Sequence, residues 1–139
     1  MGSAGSCPLV PVSWGEVLDK ITILEIKADR IADGDARANV LRELSSLSGI
    51  AAPVLAAPTV RSLVGRLKAI NERLWAIEDS LRQLEAAGDF GSQFVALARS
   101  VYATNDVRAG LKRELNALLR SELVEEKCYG AAARTEASA

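Results

Sequence analysis

Acidic side chains three residues apart are the first candidates for chemistry in this chain. Glu16 and Asp19 make one E-x-x-D pair, and Glu122, Glu125 and Glu126 make a second acidic group. On a helix, residues at that spacing lie on one face, and a set of oxygen-only ligands suits Mg²⁺, which can activate water against a phosphoanhydride. Imidazole chemistry is excluded, because the chain has no histidine and so lacks Ser-His or Cys-His nucleophile pairs and histidine metal sites. Its two cysteines, Cys7 and Cys128, sit near opposite ends, spaced neither for a disulfide framework nor for a thiolate zinc cluster.

A broader charged set is a candidate binding cluster: Asp19, Lys20, Glu25, Lys27, Glu78, Asp79, Arg99, Asn105, Asp106, Arg108 and Lys112. The competing reading makes the same residues solvated helix faces laced with ion pairs, such as Glu16 with Lys20, while Arg108 and Lys112 oppose acids on other helices. Thr104, Asn105 and Arg108 interrupt an apolar seam, so a buried polar layer there would select one helix pairing among similar ones. In that reading Arg108→Leu keeps or raises the melting temperature while loosening oligomer specificity; unfolding would instead mean that Arg108 neutralises a buried carboxylate, with Asp19, Glu25 or Glu78 as the candidates. Trp75, between Leu74 and Ile77, reads as core rather than as a stacking platform, and Gly88 in "GDFG" reads as a helix stop.

The elements that must position these groups are helices. Ser13 with Glu16 forms a capping box, with Val12 and Val17 as its hydrophobic staple, which starts a first helix at Trp14. Gly34 is its expected stop near Asp33. Asp35 is the expected cap of a second helix ending at Ser48 and Gly49, and the prolines of "GIAAPVLAAPTV" predict an apolar connector. Thr59 is the expected cap of a third helix, on which Leu63, Leu67, Ile70, Leu74, Ile77, Leu81 and Leu84 repeat in alternating steps of four and three. At 1.5 Å per residue a helix over 60–86 would be about 40 Å long and needs a partner of similar length. Phe94, Leu97, Val101, Thr104, Arg108, Leu111, Leu115 and Leu118 supply it, as one helix over 92–119 in preference to two split at "TND".

On the first helix Val17, Ile21, Leu24, Ala28 and Ile31 fall within about 80° of one another, whereas Ile23 and Ile26 lie roughly opposite. A second burial surface implies either another helix of the chain or a second copy, and a homodimer through Ile23 and Ile26 is the expectation.

The chain's 139 residues suffice for one domain, expected over 12–129 between a flexible start (1–11) and a loose tail (130–139). Its 17 basic and 18 acidic residues give a net charge of -1, and aromatics are 4% of the chain. Neither a nucleic-acid nor a membrane partner is indicated, since no overall field, stacking platform or apolar span of about 20 residues is present. A cytoplasmic location is expected.

The segments "EVLDKITILEIKADRI", "LWAIEDSLR", "DFGSQFVALARSVYATNDVRAGLKRELNALL" and "SELVEEKCY", in this order over most of 14–129, resemble a family of small bacterial helical proteins known as a domain of unknown function. The resemblance implies no activity or catalytic residue. It implies that such domains also occur in larger proteins and keep company with glycan-building enzymes. Relative to that family, this chain has Arg120 in place of Gly and Cys128 in place of Ser. The helical-bundle nucleotide pyrophosphohydrolases are similar in their E-x-x-E and E-x-x-D pairs, although the order along the chain is reversed here.

Together these readings predict an all-α antiparallel bundle of four to five helices built on one long helical hairpin. They predict a non-catalytic interaction or assembly module without cofactor, a homodimer or partner of another protein, associated with envelope-glycan synthesis. The alternative is a Mg²⁺-dependent hydrolase of nucleotides or nucleotide sugars.

Overall fold

Ser13 is where the chain commits to its first helix. In the computed structural model, which describes residues 5–121, its side chain accepts from the Glu16 N–H, and α1 runs Trp14–Arg30. That helix ends earlier than expected, at an extended Ile31. Asp33, not Asp35, caps the next one, its Oδ2 accepting from the Ala36 N–H at 2.8 Å. Gly34 therefore opens α2 (Gly34–Leu55) instead of closing α1.

α2 also replaces the expected connector, running on through Gly49 with Pro53 near its end. A proline there forfeits one helical hydrogen bond, whereas continuing the helix buries Ala51 completely and packs Val54 and Leu55 on the core. Tertiary burial wins over local propensity. Pro58 stands at the start of α3 (Pro58–Ala87), where a missing N–H is harmless, and the cap residue is Ala57 rather than Thr59. Gly88 stops α3 in the left-handed region at φ 68°. Beyond the turn, α4 (Ser92–Leu118) is continuous, with Asn105 and Asp106 in its interior.

The described residues thus form four helices and no strand. α3 and α4 make the most extensive pair, α1 packs against all three other helices, and α2 rests on α1 and less broadly on α3 without reaching α4. The core joins Leu18 and Ile21 of α1 to Ala51, Val60, Leu67, Leu111 and Leu115. Because α1 is surrounded, its second apolar face is answered within the chain: Ile26 is only 2% exposed and Ile23 is half-buried. That corrects the expected interface, since Ile26 offers no outer surface to a second copy. Leu118, expected at the end of the α4 seam, is instead exposed. The expectations for Glu122, Glu125, Glu126 and the tail lie outside the described residues.

The end of α4 carries a conformational cost. Arg120 has φ 52°, while the Ser121 N–H reaches back to the Asn116 carbonyl at 2.8 Å. This is the helix-ending geometry in which glycine is favoured, and a side chain there costs about 1 kcal/mol. Arg120→Gly should raise the unfolding free energy by about 1 kcal/mol in urea titrations followed by circular dichroism; no gain would mean that the side chain compensates for its backbone.

Candidate functional site

Asp19 lies in the middle of α1 and is 3% exposed, so its carboxylate must be met by donors from neighbouring helices. Arg108 of α4 meets it with a two-pronged contact, Nε donating to Oδ1 at 2.9 Å and Nη2 donating to Oδ2. Asn71 of α3 spends both amide hydrogens here, donating to Asp19 Oδ1 at 2.9 Å and to Thr22 Oγ1 at 2.8 Å. The Thr22 hydroxyl in turn donates to the Asp19 carbonyl at 2.8 Å. Buried Thr104 stands one turn before Arg108, and Asn105 Oδ1 accepts from Arg108 Nη1 at 3.5 Å. One carboxylate thereby ties together α1, α3 and α4.

A second layer lies toward the start of α1. Lys112, buried on α4, donates to Glu16 Oε1 at 2.6 Å. The Gly15 N–H donates to buried Asn116 Oδ1 at 2.7 Å, and the Trp14 N–H donates to Ser121 Oγ at 2.9 Å. These contacts satisfy the open N–H groups of the first turn from a distant helix. They require a close crossing: a Cβ on Gly15 would sit 2.7 Å from the Lys112 carbonyl oxygen. Gly15 is therefore needed for helix approach, not merely tolerated at a helix end. The Asn116 Nδ2 group finds no acceptor among the described residues.

A third pair joins Glu25 of α1 to Lys68 of α3 at 2.8 Å. The Glu25 hydrogen bond is the main cause that raises the Lys68 pKa above 10.5, with smaller support from the charges of Glu25, Glu72 and Asp29, against desolvation. A folded value above the unfolded one means that the pair stabilises fully below about 10.5 and that this contribution disappears as pH rises through the raised value. Lys68→Met should accordingly lower the melting temperature slightly at neutral pH, and the gap to the native chain should close above the lysine range. A gap independent of pH would point to packing of the side-chain stem instead.

The remaining charges divide. Lys20 pairs with Glu43 of α2 at 2.5 Å rather than with Glu16, both exposed. Lys27 is half-buried, whereas Glu78, Asp79, Arg99 and Asp106 are exposed and do not join the Asp19 layer. So the structure unites Asp19, Asn105 and Arg108, places Lys112 and Glu25 in adjacent pairs, and leaves the others outside. Asn71 and Lys68 escape sequence reasoning; the available signal is that Asn71 stands between Leu67 and Leu74 at helical spacing, a polar side chain inside a buried stripe. Trp75 is half-buried under the Arg30 guanidinium, 5.5 Å from the ring centroid. Glu16 and Asp19, the proposed metal pair, each face a cation, and no group of three or more Cys, Asp or Glu side chains able to hold a metal exists among the described residues.

The fold and site define, among the described residues, a four-helix arrangement in which a largely buried Asp19–Arg108 ion pair joins α1 to α4. The chain belongs to a family of unknown function, DUF6165, whose family model matches residues 9–139. No curated protein and no solved structure matches it.

Proposed function

We propose that this chain is a non-catalytic interaction or assembly module, acting as a homodimer or on a partner protein. The observation that carries the reading is the fate of its charges. Asp19, Glu16 and Glu25, the acids best placed for chemistry, are each held by a cation of another helix, while Val95, Tyr102 and Val107 stand exposed on α4. Carboxylates committed to Arg108, Lys112 and Lys68 hold helices in register and are poor water activators or metal ligands. An antiparallel α3–α4 hairpin belongs to the same reading. Its support is that Arg66 approaches Glu114 and Asn71 shares Asp19 with Arg108, so a step forward on α3 is a step back on α4. The implied company of glycan-building enzymes indicates where a partner would be sought.

The test is thermal-shift screening of the full chain against Mg²⁺, Mn²⁺, nucleotides and nucleotide sugars. No metal-dependent stabilisation is expected. A metal-dependent rise in melting temperature that Glu16→Gln and Glu122→Gln both abolish would overturn the reading in favour of a hydrolase.

A further inference from the structure

The segment just before α1 carries apolar side chains that the chain's own packing does not use. Residues 7–12, "CPLVPV", are exposed throughout and form neither helix nor strand, with Leu9 97% and Val10 67% open to water. Their shape is nonetheless set. Pro8 and Pro11 fix their own φ near about −65°, and each biases the residue before it, Cys7 and Val10, toward the extended region. Ser13, with φ −72° and ψ 156°, carries the same conformation into the buried cap of α1. In a polyproline helix, with about three residues per turn, Pro8 and Pro11 fall along one edge and Leu9 and Val12 along the next. The segment is an apolar ridge.

The prolines also decide how such a ridge can be held. Successive N–H groups of an extended chain point to opposite edges, so Pro8 and Pro11 remove a donor from each, and neither edge suits addition to a sheet. What remains is the mode in which a proline ridge lies on aromatic rings. The chain has rings of that kind at the opposite end of α4. In the turn from α3 into α4, Phe90 and Phe94 pack edge to face with centroids 5.2 Å apart, and Phe90 and the adjoining Val95 are 55% and 44% exposed.

We propose that residues 8–12 of one copy dock on the Phe90 and Phe94 corner of a second copy, in a closed dimer that exchanges these segments. This rests on the assembly reading above and names its surface and its occupant. Reach excludes the chain's own corner. The segment is anchored at Ser13, where the Trp14 and Gly15 N–H groups are held by Ser121 and Asn116 at the far end of α4. From that anchor Pro8 extends about 16 Å at roughly 3.1 Å per residue, whereas Phe94 lies about 33 Å back along α4 at roughly 1.5 Å per residue. A second copy lying antiparallel about a two-fold axis brings its corner beside the anchor, and the axis makes the same contact twice. The ridge already has its docked shape, so little chain entropy is lost on binding. Each contact is small, and dimerisation should depend visibly on concentration.

Sedimentation velocity of the full chain over a concentration series tests this, with helicity and melting temperature followed in parallel. The native chain should shift from monomer to dimer. Leu9→Asp and Phe90→Lys, each alone, should weaken dimerisation at least about tenfold without loss of helicity. Val95→Lys, outside the ring pair, is the second probe of the same corner and should act likewise. Mixing the Leu9→Asp and Phe90→Lys proteins should restore the dimer, because every contact in the mixed pair is either native or joins a carboxylate to an ammonium. A chain that stays monomeric throughout overturns the proposal, as do species larger than a dimer or a mixture that gains nothing over its parts. A dimer indifferent to these variants overturns it too, but places self-association on another surface and leaves the assembly reading standing. Metal-dependent stabilisation in the separate thermal screen is what overturns that reading.

Discussion

Arg108→Leu should cost the fold about 3–5 kcal/mol, the largest effect expected of any single substitution in the bundle. The variant leaves the Asp19 carboxylate buried among α1, α3 and α4, where the neutral amide of Asn71 still donates to it but its guanidinium partner is gone. Asn71 can supply one neutral hydrogen bond to Oδ1, worth far less than the two-pronged guanidinium contact it would have to replace. The polar-layer reading of the sequence alone suggested that leucine at 108 would preserve or raise stability, because it treated the arginine as a register device. The structure reverses the sign, because the counter-ion of Arg108 is buried and remains behind. Restoring the balance requires removing both charges: Asp19→Leu with Arg108→Leu should recover most of the loss, since an ion pair exchanged for apolar groups of similar volume is often neutral. Urea unfolding of the two single variants and the double variant, read as a double-mutant cycle, measures the coupling directly. A double variant as unstable as the sum of the singles would show that Asp19 and Arg108 act independently, and the proposed layer would have no energetic content.

Gly15→Ala should destabilise by about 1–3 kcal/mol, although alanine is the better helix former. Two effects of opposite sign compete. Helix propensity gains up to about 1 kcal/mol for alanine over glycine in a helix interior, and less in a first turn. Against it, the new methyl would lie 2.7 Å from the Lys112 carbonyl oxygen and 2.9 Å from Asn116 Oδ1. The nearer obstacle is backbone, so it moves only if α1 and α4 separate, and separation weakens the Gly15 N–H bond to Asn116 and the Glu16–Lys112 pair together. Gly65→Ala is the matched control: it lies inside α3, is exposed, and a Cβ there meets nothing within 4 Å. It should stabilise by up to about 1 kcal/mol. Thermal and urea unfolding of the two variants should move in opposite directions. Equal gains at both positions would show that the α1–α4 crossing is not tight.

Much of the helical framework was legible in the residues. Ser13 and Glu16 announced the start of α1, Gly88 the end of α3, and the leucine seam the long α3 paired with a continuous α4, because caps and periodicity act over a few residues. The boundary between α1 and α2 and the end of α2 were misread. Asp33 and Asp35 are both good caps, and Pro53 is a poor helix residue by local rules. Burial of Ala51, Val54 and Leu55 against elements far along the chain outweighs that local preference.

By itself, the sequence determined that the described chain is helical and that imidazole chemistry is absent. These follow from composition and from interactions within one turn. Only the tertiary structure showed that Arg108 has a buried carboxylate to neutralise and which acid supplies it. It alone also decided that Ile26 faces inward and that Glu16 answers Lys112 rather than Lys20. Each of those depends on which helix lies against α1, and a residue's charge and its place on a helical wheel are the same whichever neighbour the fold brings.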